Sequence, residues 1–344
     1  MVSDSHSSGT ESFAPLRLIL MGTGPFAVPS FDAVRVAKVG TSSHSILAVV
    51  TRPQPPVKSR SGPPPSPVRS WAESHGLPIL DPPNINTEDA VAELRALNPD
   101  LLVVCDYGQI LKPAALEVAR LGGINLHGSL LPKYRGAAPV QWAMLCGESV
   151  TGVSVIHMTP RLDGGPVLTK RRSPIRDDET AGELEERLAQ LGVDATLEAV
   201  AQVASWDGVS SIGAPQDAAE APKAPRLRKS DAEIDWSRTA RQIDCHVRGM
   251  QPWPVAFTHL PVSPDKPPVR LAIKRIRTLD QSVEQRRPGQ VVATPQDVAR
   301  GLVIATADQL VEIVCLQPAG KREMSGEEFL RGNKLADGVC CVKK

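Results

Sequence analysis

No stretch of this sequence stays apolar for the length needed to span a bilayer, which sets aside a helical membrane protein. Residues 1–15 lack the apolar core of a secretion signal and the arginines of a transit peptide. Rich in Ser, with Asp4 and Glu11, they are expected to form a disordered tail. The six cysteines, at 105, 146, 245, 315, 340 and 341, include no Cys-x-x-Cys pair and have no His nearby at zinc-finger spacing. Neither a metal site nor a disulfide framework is therefore expected, and a cytoplasmic protein fits. Cys105 and Cys315 lie in apolar runs and read as reduced core thiols, whereas Cys340 and Cys341 stand near an end expected to fray. Charge of one sign is not in excess either: 39 Lys and Arg against 38 Asp and Glu leave +1. A polyanion would have to meet a local basic surface. A Gly-x-Ser-x-Gly elbow is missing, which argues against a serine nucleophile on an α/β scaffold.

What is present is a chain of 344 residues, with 41% hydrophobic and 22% charged residues, suited to two domains with substantial cores. The first half alternates short apolar runs with helical spacing. Strands are predicted at 16–21, 45–50, 101–105, 123–127 and 152–156, and an amphipathic helix over 180–205. Strands alternating with helices imply an α/β fold, a Rossmann-like, doubly wound, mostly parallel sheet. Their near-continuous Val, Leu and Ile content fits burial on both faces. After Trp206 the composition turns to Ala, Pro, Ser and Gly. The expected organisation is a tail over 1–15, a catalytic domain over 16–206, a linker over 207–228 and a smaller domain over 229–344. That last part holds one helix near 239–250 and several short β runs, as in a partly open β-barrel.

Two segments stand out in the first domain. Residues 52–67 are crowded with proline, carry Arg52, Lys58 and Arg60, and end in Ser66-Pro67, a helix N-cap followed by proline in the first turn. A long loop of this kind inside a compact domain is often functional. The turn Gly22-Thr23-Gly24-Pro25 follows the first strand but lacks the full dinucleotide fingerprint, and no acidic residue closes the second strand. It is a weak dinucleotide signal and a plausible phosphate- or backbone-approach turn.

Chemistry concentrates in residues 122–166. Asn125 and His127 are two apart on one strand, so both side chains point to one face, at the C-terminal strand end where open α/β sheets place their sites. Asp163 sits in a Gly-rich loop after the next strand. Such a trio suits attack of an amine on a formyl group. The tetrahedral intermediate places negative charge on oxygen, which an amide N–H and an imidazolium can stabilise. A carboxylate can hold the imidazole, directly or through a water, and help remove the proton that the nitrogen sheds. The protein need supply no nucleophile, because the acceptor amine is one. A lone buried His is more often structural, and the Asn, His and Asp pattern sets a catalytic reading beside that one.

At these residues the sequence resembles the methionyl-tRNA formyltransferases, from about Leu16 onward. The likeness includes Gly22-Thr23 with Phe26-Ala27, Tyr107-Gly108 with Ile110-Leu111, Asn125-Leu126-His127-Gly128-Ser129-Leu130-Leu131-Pro132, Tyr134-Arg135-Gly136-Ala137-Ala138-Pro139 and Leu162-Asp163. Ile234-Asp235-Trp236, Pro252-Trp253-Pro254 and Leu316-Gln317-Pro318-Ala319-Gly320-Lys321 extend it and are the more specific part. The resemblance implies a Rossmann-like catalytic domain, an OB-like C-terminal domain that binds tRNA, and 10-formyltetrahydrofolate as co-substrate without a metal. It implies Asn125, His127 and Asp163 as the catalytic trio, and a folate site lined by Ser129, Leu130, Leu131 and Pro132. It also implies initiator methionyl-tRNA as acceptor, met in part by Lys58 and Arg60 of the proline-rich loop. A monomer is expected. The loop departs from the family in its proline content, and Gly164 stands where relatives often have Thr. Two rivals stay open: the same chemistry on a small amine such as an amino sugar nucleotide, and a non-catalytic nucleotide-binding module with a β-rich RNA-binding appendage. The second domain's Lys266, Arg270, Lys274, Arg275, Arg277, Arg286, Arg287, Lys321 and Arg322 could meet phosphates or form a solvated face.

Overall fold

The computed structural model describes residues 14–54, 64–217, 222–263, 265–283, 285–293, 301–335 and 338–343. They fall into two compact units. The first comprises residues up to Gly136 together with Gly152–Ser173 and Glu186–Lys223; the second comprises Ala137–Thr151, Pro174–Glu185 and Ala224 onward.

A seven-stranded sheet is built from β1 (Arg17–Gly22), β2 (Ser45–Val50), β3 (Ile79–Leu80), β4 (Leu101–Cys105), β5 (Gly123–His127), β6 (Val150–His157) and β7 (Val167–Pro174). Their order across the sheet is β7-β6-β5-β4-β1-β2-β3. From β3 through β5 neighbouring strands are parallel, and β6 then runs antiparallel to β5. The sequence located β6 but not its direction. The edge strands β3 and β7 were not anticipated: β3 has two residues, and β7 carries Lys170, Arg171 and Arg172 in place of an apolar run.

Apolar runs at β1, β4 and β5 are buried on both faces, which is why they lack alternation. On one face Ile19, Met21, Leu102 and Val104 pack with Val91 and Leu94 of the helix Glu88–Ala96. On the other, the long helix Ala181–Ala204 lies against the strands: a β-carbon at its Gly192 would meet the side chain of Leu126 at 2.7 Å. Leu102 and Ile124 are fully enclosed, and truncating either to Ala should cost about 2–5 kcal/mol. Ser66 caps the helix Pro67–Ser74 as expected, its hydroxyl accepting from the N–H of Arg69 at 3.3 Å.

The second unit has a six-stranded antiparallel sheet, curled as a half-barrel, of β8 (Phe257–Leu260), β9 (Val269–Ser282), β10 (Val291–Val292), β11 (Leu302–Ala305), β12 (Gln309–Pro318) and β13 (Met324–Ser325). Leu271, Ile273, Leu302, Ile304, Val311 and Ile313 face inward against Ile243 and Val247 of the helix Ala240–Gly249, which a Thr239–Gln242 capping box starts. The C-terminal segment does not fray at Cys341. Its N–H donates to Gly289 O at 2.8 Å, that of Val342 donates to His259 O at 2.9 Å, and burial pushes the Cys341 thiol up to about 12. All six cysteines are free thiols.

Candidate active site

Strand β5 carries Asn125 and His127 to its C-terminal end. Asn125 pairs with Val104 of β4 on one side and Ile156 of β6 on the other, and His127 pairs with Ser154. The Asn125 side chain is half-buried, and no described residue hydrogen-bonds its amide. It is therefore free to donate to an incoming oxygen. His127 is buried, and its Nε2 donates to the carbonyl of Tyr134 at 2.9 Å. That bond leaves Nδ1 as the nitrogen available for chemistry, with Oδ2 of Asp163 at 3.9 Å. The gap is too long for a direct hydrogen bond and suits a bridging water or a reacting atom.

Asp163 reaches this place on the β6–β7 loop with a left-handed backbone, φ +46°. Non-glycine residues rarely adopt it, and the surrounding hydrogen bonds hold it there. Its Oδ2 accepts from the N–H of Gly136 at 2.9 Å. The Gln216 amide donates to the carbonyls of Asp163 at 2.9 Å and Gly165 at 2.6 Å, while its Oε1 accepts from Arg135 at 2.7 Å. Gly165 admits no substituent, since a β-carbon there would collide with the carbonyl oxygen of His157. At Gly164 a β-carbon would meet only the flexible side chain of Arg161.

The four residues expected at the folate site divide. Ser129 and Leu131 are buried and engaged within the protein: the Ser129 hydroxyl donates to Lys133 O at 2.6 Å, and Leu131 packs with Ile156 and Val167. Leu130 and Pro132 are half-buried. Ile110, on the loop after β4, and Leu162, beside Asp163, are large apolar residues left exposed. Lys58 and Arg60 lie outside the described residues.

Two functional candidates escaped the sequence. Gln216 lies in the stretch expected to be a linker, 53 residues from the loop it braces. Asp106 follows β4 with φ +47°, and desolvation pushes its carboxyl up to about 6 although part of the residue stays open to solvent. In the second unit the basic strand is partly neutralised in place. Arg270 stacks 4.1 Å over the Phe257 ring, Lys274 pairs with Glu323 at 3.3 Å, and Arg277 pairs with Glu312 at 2.6 Å. Among the described residues no His, Cys, Asp and Glu cluster is set to hold a metal, and no helix is long and apolar enough to cross a membrane.

Comparison with known proteins agrees with this architecture. Residues 16–200 match the formyl transferase family, and residues 226–334 match the formyl transferase C-terminal domain. A methionyl-tRNA formyltransferase of Rhodopirellula baltica is 60% identical over 94% of this chain and 96% of its own length. One from Desulfotalea psychrophila is 40% identical over 97% of each. Among solved structures, an N-formyltransferase from Helicobacter canadensis in complex with folinic acid and dTDP-3-aminofucose superposes with a TM-score of 0.61 at 15% identity, covering 87% of this chain and 99% of that one. HypX from Aquifex aeolicus in complex with tetrahydrofolic acid gives 0.58 at 16%, covering 95% and 51%. These two likenesses concern the fold alone.

Proposed function

The chain belongs to the formyl transferase family, and from that premise we propose that it moves the formyl group of 10-formyltetrahydrofolate to the α-amine of methionine on initiator tRNA. The observation that carries the chemistry is the unengaged Asn125 amide beside Nδ1 of His127, which itself faces Asp163 across 3.9 Å. The full-length likeness to methionyl-tRNA formyltransferases carries the acceptor.

When bound, 10-formyltetrahydrofolate supplies the electrophilic formyl carbon. Half-buried Leu130 and Pro132, with exposed Ile110 and Leu162, offer apolar surface that fits a flat heteroaromatic ring. The Asn125 N–H₂ and the Nδ1–H of His127 donate to the formyl oxygen as negative charge builds on it. Tyr134 O fixes the imidazole through Nε2, so the ring needs no reorganisation. Asp163, held by Gly136 and by the Gln216 brace, takes up the proton that the attacking nitrogen releases; as the new carbon–nitrogen bond forms, the bond from the formyl carbon to the carrier's nitrogen breaks, and that nitrogen takes the proton on leaving. A substrate charged for translation is in keeping with the cytoplasm.

The same trio on a small amine is the rival. Salt separates the two acceptors, because displaced counterions make RNA binding strongly salt-dependent. The KM for methionyl-tRNA should rise steeply between low and physiological salt. A KM indifferent to salt, with faster transfer to an amino sugar nucleotide, would reject tRNA as the acceptor.

A further inference from the structure

Asp106 is a charged side chain at the sheet's C-terminal edge that neither the trio nor its bracing uses. Strands β4 and β5 are parallel, with Val104 opposite Asn125. Two residues beyond that pair stand Asp106 and His127, at the ends of neighbouring strands about 4.8 Å apart. On its other side Asp106 meets the turn after β1. Its carbonyl accepts from the N–H of Thr23 at 3.0 Å, and a β-carbon at Gly24 would collide with its Oδ2. The carboxylate therefore lies over Gly24, in the turn that sequence spacing marked as open to a phosphate. An anion cannot dock there without meeting a negative charge.

Among the described residues this carboxylate accepts no hydrogen bond and pairs with no cation. The nearby Arg52 bears on the Tyr107 hydroxyl instead. Asp106 is also one of the non-glycine residues held in the left-handed region, with Tyr134 and Asp163. All three follow strand ends around the site, where such backbone strain tends to mark function. A carboxylate without a partner among the described residues, on a solvent-exposed residue at the end of the strand next to the one that carries Asn125 and His127, is complementary to a cation arriving from outside. The acceptor assigned above brings one, since an aminoacyl α-amine arrives largely as ammonium.

Resting on that functional assignment, we propose that Asp106 is an acceptor-binding residue, whose carboxylate receives the α-ammonium of the incoming aminoacyl group, which gives up one proton to water before its nitrogen attacks, and disfavours an acceptor bearing an anion at that point. Burial pushes its carboxyl up to about 6, so it remains mostly ionised at neutral pH while lacking the counter-charge that an ammonium supplies.

The test compares the unaltered enzyme with Asp106→Asn, which keeps the shape and tolerates the left-handed backbone. Two quantities are read: the KM for methionyl-tRNA, and the inhibition constant of the same tRNA without its amino acid. The expected result is a KM raised roughly tenfold or more, as for a lost charge-assisted contact. The inhibition constant and the KM for 10-formyltetrahydrofolate should stay unchanged. Asp106→Gly, which accepts positive φ freely, should behave alike and covers the case in which the amide disturbs the turn. A KM within twofold of the unaltered enzyme, or an equal loss for uncharged tRNA, overturns the proposal. If the unaltered enzyme formylates no methionyl-tRNA, the functional assignment fails and takes this proposal with it.

Discussion

Nδ1 of His127 and Oδ2 of Asp163 stand 3.9 Å apart, neither bonded nor separate. At that distance a water or a reacting atom lying to one side can touch both groups at once. A mechanism in which the two serve one transition state, His127 at the formyl oxygen and Asp163 at the proton of the attacking nitrogen, predicts large losses when either is removed. His127→Ala and Asp163→Asn should each lower kcat by roughly 10²- to 10⁴-fold. Thermal unfolding should remain cooperative in both. Steady-state kinetics with circular dichroism melts check this, and near-normal kcat in either variant would contradict the roles given to them.

Asn125 donates to no described residue, so its removal strands no internal partner. Asn125→Ala should therefore lower kcat by roughly 10²- to 10³-fold, the size of a lost oxyanion donor, with Tm changed little. A loss confined to KM would mean that the amide binds the ground state instead.

Gln216 and Gly165 hold the Asp163 loop without touching substrate. Gln216→Ala removes two donations to loop carbonyls and the acceptor for Arg135. Each neutral hydrogen bond contributes about 0.5–1.5 kcal/mol. Because the fault lies in placement, kcat should fall more than stability does. Gly165→Ala forces a methyl into the His157 carbonyl and should cost about 1–3 kcal/mol or more. Urea titrations beside initial rates separate the two effects, and a Gln216→Ala enzyme with unchanged kcat would remove the brace from the account.

Asp106 gives a pH signature to stability. Its folded carboxyl lies near 6, above the ordinary aspartate value of 3.8. A raised acid contributes stability that is fully present below the unfolded value and lost as pH rises through the folded one. Asp106→Asn escapes that loss. The Tm of the variant minus that of the unaltered protein should be small below about pH 4, grow in the variant's favour between about 4 and about 6, and level off above that. A difference that does not vary with pH would show that burial does not disfavour this carboxylate.

That His127 and Asp163 come together at the end of β5 was legible because the signals are local. Strand alternation puts Asn125 and His127 on one face, and glycines flank Asp163. Gln216 was not, since a brace formed across 53 residues from a Pro- and Ala-rich stretch leaves no pattern in either segment. Asp106 escaped for a related reason. Its meaning comes from the register of β4 against β5 and from the absence of a side chain at Gly24, neither of which periodicity reveals. The strand β6 was visible as an apolar run, but such a run carries no direction, and its antiparallel pairing appears only in three dimensions. The basic strand of the second unit was visible as charge. That Lys274 and Arg277 are met by Glu323 and Glu312 depends on neighbours the sequence does not place side by side.

The most direct measurement mixes the unaltered protein with 10-formyltetrahydrofolate and charged initiator methionyl-tRNA, strips the amino acid from the tRNA and identifies it by mass. N-formylmethionine, formed in proportion to the folate consumed and abolished to within background by His127→Ala, is the expected result. Unmodified methionine alone, from active folate and intact charged tRNA, would contradict formyl transfer at this site.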